Sequence, residues 1–156
     1  MADKRILEVV KTADEIEKIR ESCKIVADVL RMIGNNIKAG MTTKELDIMA
    51  EDFILACGAK PAFKGVDPGI GIPYPSTLCV SINEEVVHGI PGSRVVKDGD
   101  LVSVDVGVKY KGFYGDAARS FLIGNVSKTA RRLFDATLDA LNRSIDKCII
   151  GNRLSD

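Results

Sequence analysis

The sequence predicts an α/β fold of the α+β kind, in which an antiparallel sheet is covered by amphipathic helices. Two helical patterns that open with capping boxes precede any strand pattern. A strongly alternating strand pattern then runs through a tight turn into a second strand, and a third helical pattern follows. The 156 residues suffice for one domain with a core but are short for two. We therefore expect residues 1–156 to form a single domain.

A capping box at Thr12 and Glu15 predicts the start of the first helix, because the threonine accepts from a backbone amide and the glutamate bonds back. The helix should end between Gly34 and Gly40. Apolar residues recur along it at intervals of three and four and form one stripe for burial: Ile16, Ile19, Cys23, Val26, Leu30 and Ile33.

A second capping box, at Thr42 and Glu45, predicts a shorter helix that Gly58 ends. Its expected inner face consists of Leu46, Met49, Phe53 and Cys57. Residues 60–76 contain four of the five prolines and should form a long irregular loop, a type of segment that is often functional in compact domains.

Four strands are predicted after this loop. Leu78–Ile82 and Glu85–Ile90 are the short ones, and Leu101–Tyr110 has the strongest pattern. Lys111 and Gly112 can make a two-residue turn into Phe113–Ile123, which gives an antiparallel hairpin.

Ser127 is expected to cap a last helix that ends at Gly151 and Asn152. The residues expected on its inner face are Leu133, Phe134, Leu138, Leu141, Ile145 and Cys148.

Two aspartates of the hairpin fall on one face of the predicted sheet. Alternation places the valines of segment 102–108 on the core face and Asp105 on the other. With a two-residue turn, Asp105 lies opposite Ala118 and Gly107 lies opposite Asp116, so the carboxylates are diagonal neighbours roughly 7–8 Å apart at the backbone. This separation suits one or two oxygen-ligated divalent cations. The alternative is a solvated hairpin face with structural ion pairs, for example to Lys109 or Arg119.

His88 is the single histidine of the chain and lies in the segment NEEVVHGIP, residues 83–91. A histidine that stands alone is more often structural than catalytic, so its role stays open on this evidence.

Composition excludes several classes of partner. The balance of 46% hydrophobic and 28% charged residues is that of a soluble globular protein, and 22 basic residues match 22 acidic ones. Neither nucleic acid nor an anionic membrane is therefore an expected partner. The opening Met1–Arg5 is not followed by the apolar core of a signal peptide, so we expect a cytoplasmic protein. The four cysteines lack metal-ligand spacing.

Four motifs resemble, in order and spacing, the first half of type I methionine aminopeptidases. They are STLCVSIN at Ser76–Asn83, VHGIP at Val87–Pro91, DGDLVSVD at Asp98–Asp105 and GFYGD at Gly112–Asp116. The resemblance implies the first half of a pita-bread fold, in which two pseudo-symmetric α/β halves close over a dinuclear metal site. The implied activity is metal-dependent removal of the N-terminal methionine from nascent proteins, with N-terminal Met peptides as substrates.

The resemblance also implies roles for individual residues. Asp105 matches a bidentate ligand of one metal, and Asp116 matches the carboxylate that bridges both. His88 matches the catalytic histidine that hydrogen-bonds the substrate near the scissile amide and stabilises the tetrahedral intermediate. Tyr74 and Cys79 fall where the family lines the substrate's methionine side chain. The implied cofactors are two divalent metal ions, Co, Mn, Fe or Zn.

The resemblance covers only the first half of that family's fold, and the C-terminal half is absent from these 156 residues. The family's remaining ligands, a histidine and two glutamates, have no counterpart here. We therefore expect weak or absent metal binding and no activity for this chain alone, with the missing half or a second copy as a partner. Two alternatives are a non-catalytic binding module of the same fold and a proline-specific aminopeptidase relative.

Overall fold

The computed structural model describes residues 10–67, 69, 71–153 and 155; the opening Met1–Arg5 lies outside this range. Within it, no helix is long and apolar enough to cross a bilayer. The elements in chain order are α1 (Ala13–Asn36), α2 (Thr43–Ala56), β1 (Lys60–Pro61), β2 (Leu78–Ile82), β3 (Leu101–Tyr110), β4 (Phe113–Leu122) and α3 (Lys128–Lys147).

Both predicted capping boxes are confirmed. The Thr12 hydroxyl accepts from the Glu15 amide at 3.3 Å, and the Glu15 carboxylate accepts from the Thr12 amide at 2.8 Å. Thr42 and Glu45 make the same pair of bonds at 3.2 and 2.6 Å. The starts of α1 and α2 are therefore fixed by local sequence.

Strand β3 is the centre of an antiparallel sheet. It pairs along its whole length with β4, and its other edge pairs with β2 and then with β1. The short strand β1 lies in the segment that was predicted to be irregular, so that prediction is wrong at Lys60–Pro61. The hairpin register is as predicted, because Lys111 and Gly112 adopt the positive φ angles, 48° and 87°, that a two-residue turn requires.

The core lies between the sheet and helices α1 and α2. Val102, Val104, Val106 and Val108 are all completely buried, as the alternation predicts. Helix α1 lies directly on β4 at Gly115, where an added Cβ would come within 2.7 Å of the α1 backbone. The absence of a side chain at this position thus sets the distance between helix and hairpin.

The predicted strand Glu85–Ile90 is wrong. Asn83 and His88 have left-handed backbone conformations, with φ of 58° and 60°, which turn the chain out of an extended path. The segment stays close to β2 through the bond from the Val80 amide to the Gly89 carbonyl, which is 2.8 Å long.

The stripe predicted for α1 is wrong at its first half. Ile16 and Cys23 are exposed, whereas Ser22 is fully buried. The Ser22 hydroxyl lies 3.1 Å from the Phe113 carbonyl and 3.4 Å from the Tyr110 carbonyl. This polar contact with the hairpin end explains why a serine occupies the buried position.

The buried face of α2 lies at a different angle around the helix axis than the sequence predicts. Leu46 is buried as predicted, but Met49, Phe53 and Cys57 are only half-buried. The fully buried residues of the next turns are instead Ala50 and Ile54.

No residue of α3 is buried, which contradicts the predicted inner face of this helix. Leu133, Leu138, Leu141 and Ile145 expose 47–60% of their surface, Cys148 is also exposed, and Phe134 is half-buried. The apolar pattern is real, but no described element packs over it. The helix ends at Lys147, before the predicted Gly151 and Asn152.

Candidate functional site

One open pocket of about 500 Å³ brings together all five residues that the sequence selected as site candidates. They are Tyr74, Cys79, His88, Asp105 and Asp116. The remaining lining is apolar: Ala62, Phe63, Val66 and Ile90. The pocket therefore combines two carboxylates and one imidazole with an apolar wall.

The sheet places three of these side chains on the face opposite the valine core. Cys79 in β2 pairs directly with Asp105 in β3, and Asp105 pairs with Ala118 in β4. Asp116 pairs with Gly107, so the two carboxylates are diagonal neighbours. The ring of Phe63 covers Gly107 so closely that an added Cβ would lie 2.6 Å from it.

Of the two carboxylates, that of Asp105 is in the less favourable environment for a negative charge. Partial burial raises the pKa of its carboxyl group above the ordinary 3.8, and the charge of Asp116 raises this pKa further. The nearby His88 lowers the pKa of Asp105, but burial and the charge of Asp116 outweigh this effect. A cation placed between the carboxylates would remove the cause of the repulsion.

Neither basic residue that the sequence offered as a structural partner neutralises this pair within the described residues. The Lys109 ammonium lies 5.0 Å above the Tyr114 ring, and the Arg119 guanidinium lies 5.5 Å above the Phe121 ring. Arg119 also pairs with Val104, which places it on the opposite face of the sheet. The alternative of a carboxylate face balanced by these two residues is therefore not supported.

Cys79 is a neutral wall residue. It is 6% exposed, and burial raises the pKa of its thiol, with a further contribution from the charges of Asp105 and Asp116. A thiol with a raised pKa is a poor nucleophile at neutral pH. Cys79 can therefore offer a polarisable apolar contact and not covalent catalysis.

Two carboxylates are too few for a tight metal site. Among the residues that the structure describes, no group of three or more His, Cys, Asp or Glu side chains converges as a metal cage. The oxygens of Asp105 and Asp116 nevertheless suit divalent cations. The donor set thus fits part of a metal site.

Replacing Asp105 by asparagine is expected to stabilise the metal-free fold at neutral pH by up to about 1 kcal/mol. The folded chain keeps the Asp105 proton to a higher pH than the unfolded chain, whose carboxyl titrates near 3.8. The wild-type fold therefore loses stability as pH rises from that value through the raised pKa, whereas the variant does not. Urea unfolding at several pH values measures this difference.

The matched control is Asp146→Asn, which removes an exposed carboxylate from α3. It should change the free energy of unfolding little at any pH. An Asp105→Asn variant that is less stable than wild type at neutral pH would contradict the electrostatic account.

The sequence did not reveal Asp47, which supports one wall of the site. Its side chain is completely buried, and one carboxylate oxygen accepts from the amides of Thr77 and Leu78 at 2.8 and 2.9 Å. The other oxygen accepts from Lys44 at 2.9 Å. The only sign of this role in the sequence is that Asp47 follows Leu46, at the edge of the apolar stripe predicted for α2.

The apolar lining was also missed. Ala62, Phe63 and Val66 lie in the segment that was predicted to be irregular, and Ile90 lies in the segment that was predicted to be a strand. The clustering of prolines and glycines predicted that this segment is a functional loop. It did not indicate which of its side chains line the pocket.

Comparison with protein families finds a match to the model of metallopeptidase family M24 over residues 17–156. A methionine aminopeptidase of Clostridium acetobutylicum is 44% identical over 149 residues, which is 95% of this chain and 58% of the relative. The chain thus spans little more than half the length of the curated relatives it matches.

Solved structures show the same partial coverage. The crystal structure of methionine aminopeptidase from Thermotoga maritima superposes with a TM-score of 0.82 and 40% identity, over 90% of this chain and 54% of that one. A prolidase from Pyrococcus furiosus superposes with a TM-score of 0.75 and 25% identity, over 88% of this chain and 38% of that one. The chain therefore shares its fold with part of each of these proteins.

Proposed function

The chain belongs to metallopeptidase family M24, and from this premise we propose that it supplies one half of the active site of a methionine aminopeptidase. The substrates would be N-terminal Met peptides of nascent proteins, and the place of action would be the cytoplasm. The observation that carries the proposal is the pocket that joins the carboxylates of Asp105 and Asp116 with His88 and an apolar wall.

The two kinds of lining residue in the pocket, carboxylate and apolar, suit the two parts of a terminal methionine residue. A free α-amino group is cationic and is attracted to carboxylates, while a thioether side chain prefers apolar surroundings. The neutral thiol of Cys79, the ring of Tyr74 and the ring of Phe63 would contact that side chain. These contacts favour a flexible apolar side chain over a charged one.

Asp105 and Asp116 would hold divalent ions, Co, Mn, Fe or Zn. Bound ions supply Lewis acidity toward the scissile carbonyl and lower the pKa of a water molecule. Since tight sites use more ligands, we expect the 156-residue chain alone to bind such ions weakly.

His88 would stabilise the developing charge of the reaction. It lies at the pocket and is solvent-exposed, so its imidazole is accessible to a bound peptide. An imidazole N–H aimed at the carbonyl oxygen would form a stronger hydrogen bond as that oxygen becomes negative.

The rest of the site would come from a segment equivalent to the remaining part of the relatives, packed on the exposed apolar side of α3. We call this side the α3 face; its residues are Leu133, Phe134, Leu138, Leu141 and Ile145. With α1 and β4 it borders a groove of about 590 Å³. Polar residues beside the α3 face already bond within the helix, Thr137 to Leu133 and Ser144 to Ala140, each at 2.8 Å. Covering them would therefore leave no hydroxyl unpaired.

Helix α3 repeats the apolar spacing of α1. Phe134, Leu138, Leu141 and Ile145 follow the cap Ser127 by the same numbers of residues as Ile19, Cys23, Val26 and Leu30 follow the cap Thr12. Helix α1 packs against the β3–β4 hairpin, with Val26 and Leu30 of this set buried and Cys23 exposed. The α3 face would accordingly pack on a second α/β unit, which agrees with the additional length of the relatives.

The decisive experiment joins residues 1–156 to the carboxy-terminal part of the Clostridium acetobutylicum relative. We expect this fusion to hydrolyse a Met-Ala-Ser tripeptide with added Mn or Co, because it contains both halves of the site. Chelation should abolish the activity and metal should restore it. The chain alone should be at least about 100-fold less active.

Two further measurements separate the alternatives. Cleavage of an Xaa-Pro peptide in place of Met-Ala-Ser would favour a proline-specific enzyme, and a folded fusion that binds metal without hydrolysing either peptide would contradict the proposal. Sedimentation of the chain alone should show monomers. A stable dimer that the Leu138→Asp change dissociates would identify a second copy as the occupant of the α3 face.

A further inference from the structure

The left-handed backbone of His88 is held in place by its neighbour Gly89. His88 has φ of 60°, a conformation that residues with a Cβ adopt rarely and that persists where the surroundings impose it. Gly89 lies so close to β2 that an added Cβ would overlap the Val80 carbonyl oxygen. The Gly89 carbonyl also accepts from the Val80 amide at 2.8 Å. The path of the chain at His88 therefore depends on how Gly89 is fixed.

Two side-chain hydroxyls hold Gly89 from opposite ends. The Gly89 amide donates to the Ser81 hydroxyl at 3.2 Å. The Tyr74 hydroxyl lies 3.2 Å from the Gly89 carbonyl and 2.9 Å from the Leu78 carbonyl, so its single proton is shared between these two acceptors. Tyr74 thus ties the start of β2 to the segment that carries His88.

The hydroxyl of Tyr74 is committed to these backbone acceptors. Burial raises its pKa far above the ordinary value, and the neighbouring Cys79 adds to this effect, so the group remains a donor over the whole working range of pH. A protonated hydroxyl whose proton is already bound inside the protein contributes little to recognising a substrate.

We propose that Tyr74 and Ser81 are positioning residues for His88, whose hydroxyls clamp the Gly89 peptide and so fix the left-handed backbone at His88. This inference rests on the proposed function for the role of His88. Tyr74 then has two separable roles. Its ring borders the pocket, and its hydroxyl oxygen positions the imidazole of His88.

Because the chain contains one histidine, selective ¹⁵N-histidine labelling gives NMR signals from His88 alone. In the 156-residue chain, Tyr74→Phe keeps the ring and removes one oxygen atom. We expect the His88 amide and ring signals to shift and to split or broaden as the backbone leaves its single conformation. Ser81→Ala should produce the same effect from the other end of the clamp.

Tyr110→Phe is the matched control, since it removes a tyrosine hydroxyl at the end of the hairpin and should leave the His88 signals unchanged. His88 signals in Tyr74→Phe that coincide with those of wild type would overturn the proposal. If Tyr74→Phe does not fold, unchanged His88 signals in Ser81→Ala would overturn it equally. No substrate is present, so these results are independent of the hydrolysis test.

In an active fusion, a positioning role also predicts a specific kinetic pattern. Tyr74→Phe should lower kcat about tenfold and leave KM nearly unchanged, because the ring still borders the pocket. It should have no further effect when His88 is already alanine. A raised KM with unchanged kcat would assign Tyr74 to substrate binding instead.

Discussion

Replacing Asp116 by asparagine is expected to lower divalent-metal affinity by at least about 100-fold and to abolish measurable hydrolysis by the fusion. This half of the site offers only two carboxylates, and a neutral amide is a much weaker ligand for a hard cation. The change also removes the like charge that raises the pKa of Asp105. Metal titration by calorimetry and hydrolysis of Met-Ala-Ser measure the two effects.

The fold should tolerate this substitution because Asp116 is exposed and makes no ion pair within the described residues. Asp146→Asn, which changes an exposed carboxylate on α3, should retain full affinity and turnover. Retained turnover with bound metal in the Asp116→Asn fusion would be incompatible with a bridging role for this carboxylate.

Replacing Asp47 by alanine is expected to lower the free energy of unfolding by about 3 kcal/mol, a large part of the stability of an ordinary domain. The change leaves the amides of Thr77 and Leu78 without their acceptor in a fully buried place. Lys44 is half-exposed and can be rehydrated, so most of the loss comes from the two amides. Urea unfolding of the 156-residue chain measures it.

Asp52→Ala is the control, because Asp52 is an exposed carboxylate on the same helix. Its effect should remain within about 0.5 kcal/mol. Asp47→Asn keeps one acceptor oxygen and should fall between the two. Equal losses for Asp47→Ala and Asp52→Ala would show that the buried carboxylate does not fasten β2 to α2.

Local sequence was sufficient wherever neighbouring residues determine the geometry. The turn residues Lys111 and Gly112 fix the hairpin register, and the register places Asp105 and Asp116 diagonally on one face. The capping boxes at Thr12 and Thr42 likewise identify where two helices begin.

The remaining features depend on tertiary contacts that sequence periodicity does not encode. Ser22 is buried because the hairpin end reaches it, and Asp47 is buried because the start of β2 needs an acceptor. His88 leaves the strand path because Gly89 is pinned against Val80. The exposed α3 face shows the converse: an apolar stripe predicts burial but cannot specify the partner.

The hairpin also determines when the carboxylate pair can form. Asp105 and Asp116 meet through the closure of a short loop, whereas β2 must join β3 across a longer one, and loop-closure entropy grows with length. Contacts that are local in sequence form early, and a growing polypeptide folds from its amino-terminal end. During synthesis, the hairpin that carries Asp105 and Asp116 would therefore form on the nascent chain before the segments that follow it in the sequence leave the ribosome.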